Sequence, residues 1–198
     1  MIAPKTIDLI RHGEPEGGRR YRGQIDDPLS ERGWVQMRGA VRGRAPWDGI
    51  VSSPLRRCRA FAEELADKLD LPLRIDERIR EVGFGAWEGH TADELRARDP
   101  EVITRFYHDP VNNRPEGAEP LGAFSARVHT AFTELLADGT HHPLMVTHAG
   151  VIRTIIAQLL DAPLASIYRI SVQTASLTRI RYDGERPPTL VFQGRRRL

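Results

Sequence analysis

A single cysteine, Cys58, in 198 residues excludes an intramolecular disulfide framework and a metal site built from several thiolates. No apolar run approaches the ~20 residues a membrane-spanning helix needs. The opening MIAPKTIDLI lacks both the basic stretch and the long apolar core of an export signal. Aromatic residues are few, at 7%, and nowhere interleave with a basic stripe, which argues against a nucleic-acid partner. Repeats and low-complexity linkers are also missing. What remains is 40% hydrophobic content, enough for one buried core, and 28% charged residues of both signs with a formal net charge of +2. The expectation is one domain over 1–198, cytoplasmic, with no membrane association. The basic cluster Arg195 to Arg197 reads as a fraying tail.

Strand and helix patterns alternate along the chain. Thr6 to Ile10 reads as a buried strand stopped by Arg11-His12-Gly13, and a loop rich in Gly and Arg runs from Glu14 to Pro28. Ser30 is placed as an N-cap opening a helix to about Arg42. Gly49 to Ser52 is a second strand, and Ser53-Pro54 starts a helix with Cys58, Phe61, Leu65 and Leu69 on one face. A third strand is expected over Leu71 to Ile75. Short helical patterns surround Glu94 and Ile103. A long amphipathic helix carries Leu121, Phe124, Val128, Phe132 and Leu135. Leu144 to Thr147 is a strand feeding the helix Val151 to Leu160, and two strands near Ser176 to Tyr182 and Thr189 to Gln193 close the chain. This order implies an α/β fold, a three-layer sandwich with a mostly parallel sheet and helices on both faces.

Two places share one design: Ile10-Arg11-His12-Gly13 and Val146-Thr147-His148-Ala149-Gly150. Sites in open α/β sheets form outside the carboxyl ends of strands, where both histidines would project. Arg11 and either Arg56 or Arg57 supply positive charge, because guanidinium forks match phosphoryl oxygens bidentately. A helix N-terminus after Ser53-Pro54 points amides the same way. Glu81 and Glu88 flank a stretch holding Gly83 and Gly85, and spacing alone leaves either of them as a proton donor.

Together these residues resemble the histidine phosphatase superfamily, in its phosphoglycerate-mutase-like branch. The resemblance runs through Leu9 to Glu14, Gly23, Asp26, Pro28-Leu29-Ser30, Ser52 to Arg57, Glu81 with Phe84 to Gly89, and Thr147 to Gly150. It implies His12 as nucleophile, Arg11 and Arg57 as phosphate ligands, His148 as a second pocket histidine and Glu81 rather than Glu88 as proton donor. It also implies a metal-free site with no cofactor, Arg22, Gly23, Gln24 and Gly150 as substrate-binding positions, a small phosphorylated substrate, and admits a homodimer.

Within the superfamily, Arg22 to Ser30, Gly33 to Arg38 and Ser53 to Leu65 are most similar to the α-ribazole-5′-phosphate phosphatases of cobalamin assembly. Mutases of the superfamily usually place asparagine where Gly18 stands and serine or threonine where Arg22 stands. A phosphoglycerate mutase and a broad-specificity sugar-phosphate or protein phosphatase are the rivals, ahead of a non-catalytic binding protein. One departure from the usual pattern is Gly117-Ala118-Glu119-Pro120, where relatives carry Gly-Gly-Glu-Ser. A cysteine phosphatase is excluded because Glu64, not arginine, stands six positions after Cys58. His141-His142 are expected to be solvent-exposed at a turn, with no carboxylate at ligand spacing nearby.

Overall fold

The computed structural model describes residues 4–43 and 45–196, so Arg197 of the basic cluster and the first residues of the opening stretch lie outside the described residues. Six strands form one sheet in the order β3-β2-β4-β1-β5-β6. They are β1 (Lys5–Arg11), β2 (Gly49–Ser52), β3 (Leu73–Ile75), β4 (Pro143–Thr147), β5 (Leu177–Tyr182) and β6 (Thr189–Arg195). The first four in spatial order pair in parallel, β5 runs against β1, and β6 turns back beside β5. Only β5 is reversed, as a mostly parallel sheet requires. The helices are α1 (Glu31–Ala40), α2 (Arg56–Leu69), α3 (Ala92–Arg98), α4 (Val102–His108), α5 (Leu121–Ala137) and α6 (Ala149–Leu159). Among the described residues, no helix is long and apolar enough to cross a membrane.

Alternation along the strands divides the interior into two cores. Ile7 and Leu9 of β1 and Met145 of β4 face a core with Phe124, Val128 and Leu135 of α5 and Ile152 and Ile155 of α6. Ile10, Leu144 and Val146 face the other, with Met37 of α1 and Cys58, Phe61 and Leu65 of α2. Each fully buried large apolar side chain contributes about 1.5–3 kcal/mol, against about 1 kcal/mol for a helix cap, so core burial holds the layers together. Caps set the boundaries. Ser30 accepts from the Gly33 amide, and Thr91 forms a capping box with Glu94. The α2 N-terminus has no cap of its own; Asp26 reaches across from the preceding loop to accept from the Arg56 amide at 2.6 Å.

Element boundaries differ from expectation at several places, among them the starts of β3, α2 and α6. β3 starts at Leu73 because the Leu71 amide bonds back to Ala66 and closes α2 over left-handed Asp70. α2 begins at Arg56, after Ser53 and Pro54. α6 begins two residues early because His148 is its N-cap.

The expected exposure of both His141 and His142 is corrected. His141 is exposed, but His142 is half-buried, with Nε2 at 3.0 Å from Asp8 Oδ2. Asp8, fully buried on β1, also accepts from Trp47 Nε1 and from both Nε and Nη2 of Arg179. Burial pushes its carboxyl pKa up, but the bonds from Arg179, His142 and Trp47 outweigh this and hold it below the usual range.

Candidate active site

The two strand–histidine motifs meet because β1 and β4 are parallel neighbours, with Arg11 opposite Thr147. The His12 amide donates to the Thr147 carbonyl at 2.9 Å, which locks the two loops together just past the strands. His12 Nδ1 lies 2.7 Å from the Gly13 carbonyl. A carbonyl can only accept, so Nδ1 carries the proton and the neutral ring keeps its Nε2 lone pair free. His148 packs edge-on against that ring, with centroids 5.2 Å apart. Its Nε2 is 2.7 Å from Ser53 Oγ, and Cys58 Sγ lies 3.6 Å from the same nitrogen. His148 therefore stands beside His12, and it is fully buried behind the cleft surface. Cys58 sits in the core as expected, and burial pushes its thiol pKa up.

Arg11, the last residue of β1, and Arg57, in the first turn of α2, both bring positive charge to the histidines. Arg11 Nη1 donates to Val172 O at 2.6 Å. Arg57 donates through Nη1 to Ile25 O and through Nη2 to Gly23 O. In both, the buried Nε has no partner among the described residues. Burial, reinforced by Arg153, Arg57 and Arg19 and opposed by Glu81, pushes the Arg11 pKa down to about 10, still charged at neutral pH. Burial first, then Arg11 and Arg57, holds His12 well below its ordinary value, and burial and Arg57 do the same for His148. Both rings are therefore neutral at pH 7.

This has a testable sign. As pH falls from ~8 to ~6, kcat/KM should show no loss attributable to protonating His12, because its folded pKa lies below the ~6.5 of a free histidine. A His12 ring that takes up a proton near ~6.5 in an NMR titration of the folded enzyme would contradict it. For stability, a depressed histidine pKa contributes above the unfolded value and is lost as pH drops through ~6.5, where the unfolded chain takes up protons and the folded chain does not.

Glu81 leaves the segment after β3 and meets the N-terminus of α6. Its Oε2 accepts from the Gly150 amide at 3.1 Å and its Oε1 from its neighbour Val82 at 3.0 Å. A Cβ at residue 150 would stand 2.2 Å from Glu81 Oε1, so only glycine permits this approach. Glu88 has a different occupation. It accepts from the amides of Gln24, Ile25 and Phe84, tying the Gly-rich loop down. Gly23 lies beneath this carboxylate at φ +49°, where a Cβ would come within 2.1 Å of it. Gly23 is thus on the wall through its backbone. Gln24 was expected to bind substrate; it is exposed, off the wall, and engaged through its amide. Arg22 lines the cleft but is spent on Asp27 at 2.9 Å and on the carbonyls of Gly18 and Glu16.

The cleft measures about 700 Å³. Six arginines line it: Arg11, Arg19, Arg20, Arg22, Arg57 and Arg153. Of these, only Arg22 has a carboxylate at ion-pair distance among the described residues. Fixed positive charge gathered around an unprotonated imidazole is what in-line phosphoryl transfer needs.

The model of the histidine phosphatase superfamily (branch 1) matches residues 7–193. The chain belongs to that family. It is a histidine phosphatase, similar over 170 residues at 32% identity to the adenosylcobalamin/alpha-ribazole phosphatase of Salmonella typhimurium, covering 83% of this chain and 84% of that one. Among solved structures, the mycobacterial glucosyl-3-phosphoglycerate phosphatase superposes with a TM-score of 0.85 at 27% identity, covering 97% of this chain and 99% of the other. The alpha-ribazole phosphatase of Shigella flexneri does so with a TM-score of 0.83 at 27% identity, covering 98% of each chain.

Several residues of this histidine phosphatase's cleft escaped sequence reasoning. Arg153 lies one helical turn beyond Gly150 on α6, so the helix period carried a signal for it. Tyr107 of α4 and Tyr168 of a short 3-10 helix had none, because they reach the wall from segments far from the motifs in sequence. Their rings meet at 5.8 Å, and Tyr168 packs on Phe106 at 4.9 Å.

Proposed function

We propose that this phosphatase hydrolyses phosphomonoesters through a phosphorylated His12, and that its substrate is α-ribazole 5′-phosphate in cobalamin assembly. The observation that carries the mechanism is the His12 Nδ1 bond to Gly13 O, which leaves Nε2 as a neutral nucleophile beside two fixed guanidiniums. Nε2 attacks phosphorus in line, the bond to the ester oxygen breaks, and Glu81 gives its proton to the departing alkoxide. Arg11 and Arg57 neutralise charge building on the equatorial oxygens. His148 backs the nucleophile from the interior. Water, deprotonated by Glu81, then attacks phosphorus, and the Nε2–P bond breaks to release phosphate.

The substrate reading is supported by the resemblance through Arg22 to Ser30 and Ser53 to Leu65 and by the Salmonella typhimurium relative. The cleft extends well beyond a phosphoryl pocket, and Tyr21, Phe84, Tyr107 and Tyr168 offer aromatic surface to a planar base. A second reading rests on Arg19 and Arg153, which have no carboxylate at ion-pair distance among the described residues and favour a phosphomonoester carrying a further anionic group. One panel decides: kcat/KM for α-ribazole phosphate, 3-phosphoglycerate, a sugar phosphate and a phosphoserine peptide. The expected preference for the first is at least ~100-fold, about 2.7 kcal/mol in the transition state. A preference of that size for an acid-bearing ester would replace the ribazole reading with the second, and isomerisation of 3-phosphoglycerate with little phosphate release would establish a mutase.

A further inference from the structure

The segment that carries Glu81 belongs to no strand or α-helix, yet four consecutive carbonyls in it are each claimed by a side chain from elsewhere. Arg127 of α5 takes three: Nη1 donates to Arg78 O at 2.5 Å and to Arg80 O at 2.9 Å, and Nη2 to Glu81 O at 3.2 Å. Thr147 Oγ1 takes the fourth, Ile79 O, at 3.0 Å. Arg127 is itself held by Glu119, with Nε to Oε1 at 2.7 Å and Nη2 to Oε2 at 2.8 Å. Glu119 continues the grip, since its Oε2 accepts from the Gly83 amide and its own amide donates to Gly83 O. The guanidinium also lies over the Phe124 ring, 4.7 Å from its centroid. Both charged side chains are less than one-fifth exposed, so solvent screens the pair only partly.

We propose that Arg127 and Glu119 are positioning residues that hold the backbone of Arg78 to Gly83 and thereby aim the Glu81 carboxylate. Neither lines the cleft. The grip explains what the Gly117-Ala118-Glu119-Pro120 loop retains without the usual serine: its glutamate is the anchor for the brace. Only a planar fork with donors on three nitrogens reaches three carbonyls and a carboxylate together; an ammonium cannot. The inference rests on Glu81 acting as the proton donor, and the test separates the two.

Arg127→Lys and Glu119→Gln, both conservative, should be compared with Glu81→Gln on an alkyl phosphate and on p-nitrophenyl phosphate, under conditions where P–O cleavage limits. Thermal melts confirm that each variant is folded. Misplacing a reacting group by about 1 Å costs on the order of 10²-fold, so the brace variants should lose ~10- to 100-fold in kcat on the alkyl phosphate. They should lose at most ~3-fold on p-nitrophenyl phosphate, whose leaving group departs without a proton. Combining Arg127→Lys with Glu81→Gln should add little further loss on the alkyl phosphate, the non-additivity expected of residues acting through one group. Equal losses on both substrates, or additive losses in the double variant, would overturn the proposal while leaving Glu81 as donor. Absence of leaving-group dependence in Glu81→Gln itself would remove the donor reading, and the brace would fall with it.

Discussion

Replacing His12 with alanine is expected to lower turnover on every phosphomonoester by roughly 10⁴-fold or more while the protein stays folded. The size follows from what is removed: the nucleophile, with no other unprotonated group in the same setting to take over. His148 cannot substitute, because it is buried behind the His12 ring with Nε2 engaged by Ser53. The fold should tolerate the change, since β1 is held by backbone pairing to β4 and β5 and by Ile7, Leu9 and Ile10 in two cores. Circular dichroism and a thermal melt check folding. Quenching the native enzyme at neutral or alkaline pH with labelled substrate should trap phosphate on His12, and the alanine variant should trap none. Normal turnover by a folded variant would remove covalent catalysis at this residue.

Glu81→Gln should produce the second-largest effect, about 10³-fold on an alkyl phosphate and within ~10-fold on p-nitrophenyl phosphate. The amide preserves the shape that fits against Gly150, so steric disturbance is small. It cannot give up a proton as a carboxylic acid does, and its NH₂ would face one of the two amides, from Val82 and Gly150, that now donate to the carboxylate. A loss of equal size on both substrates would mean that Glu81 positions the pocket instead. Glu88→Gln serves as the control: its carboxylate bonds three loop amides, so damage there should weaken both substrates alike.

Much of this was legible in the chain because two signals were local. Each histidine follows a buried strand and precedes a small-residue turn, and parallel strands with intervening helices bring such ends to one edge. The sheet adds what a linear reading lacks, namely that β1 and β4 are direct neighbours. Burial depth was not legible. Sequence places His148 beside His12 but gives no sign that Ser53 and Cys58 draw it inside. His142 looked like a turn residue because its partner, Asp8, lies 134 positions away and buried. Gln24 carried no mark that its loop is held by backbone amides rather than by side chains. The aromatic wall was hidden for a similar reason: Tyr107 and Tyr168 converge from segments whose local pattern is only that of short helices.

The arginine-lined cleft also bears on how the chain folds. Folding gathers Arg11, Arg19, Arg20, Arg57 and Arg153 around one space with no carboxylate at ion-pair distance from any of them among the described residues. In the unfolded chain these cations stand apart in water, so their convergence opposes the native state. An oxyanion bound in the cleft relieves that repulsion and binds only the folded form, which shifts the folding equilibrium in proportion to RT ln(1 + [L]/Kd). Inorganic phosphate, released by every turnover, is such an ion. The product of the reaction is therefore expected to act as a ligand for the native state as well, so the thermal midpoint should rise as phosphate is added, and a midpoint unmoved by phosphate would contradict this.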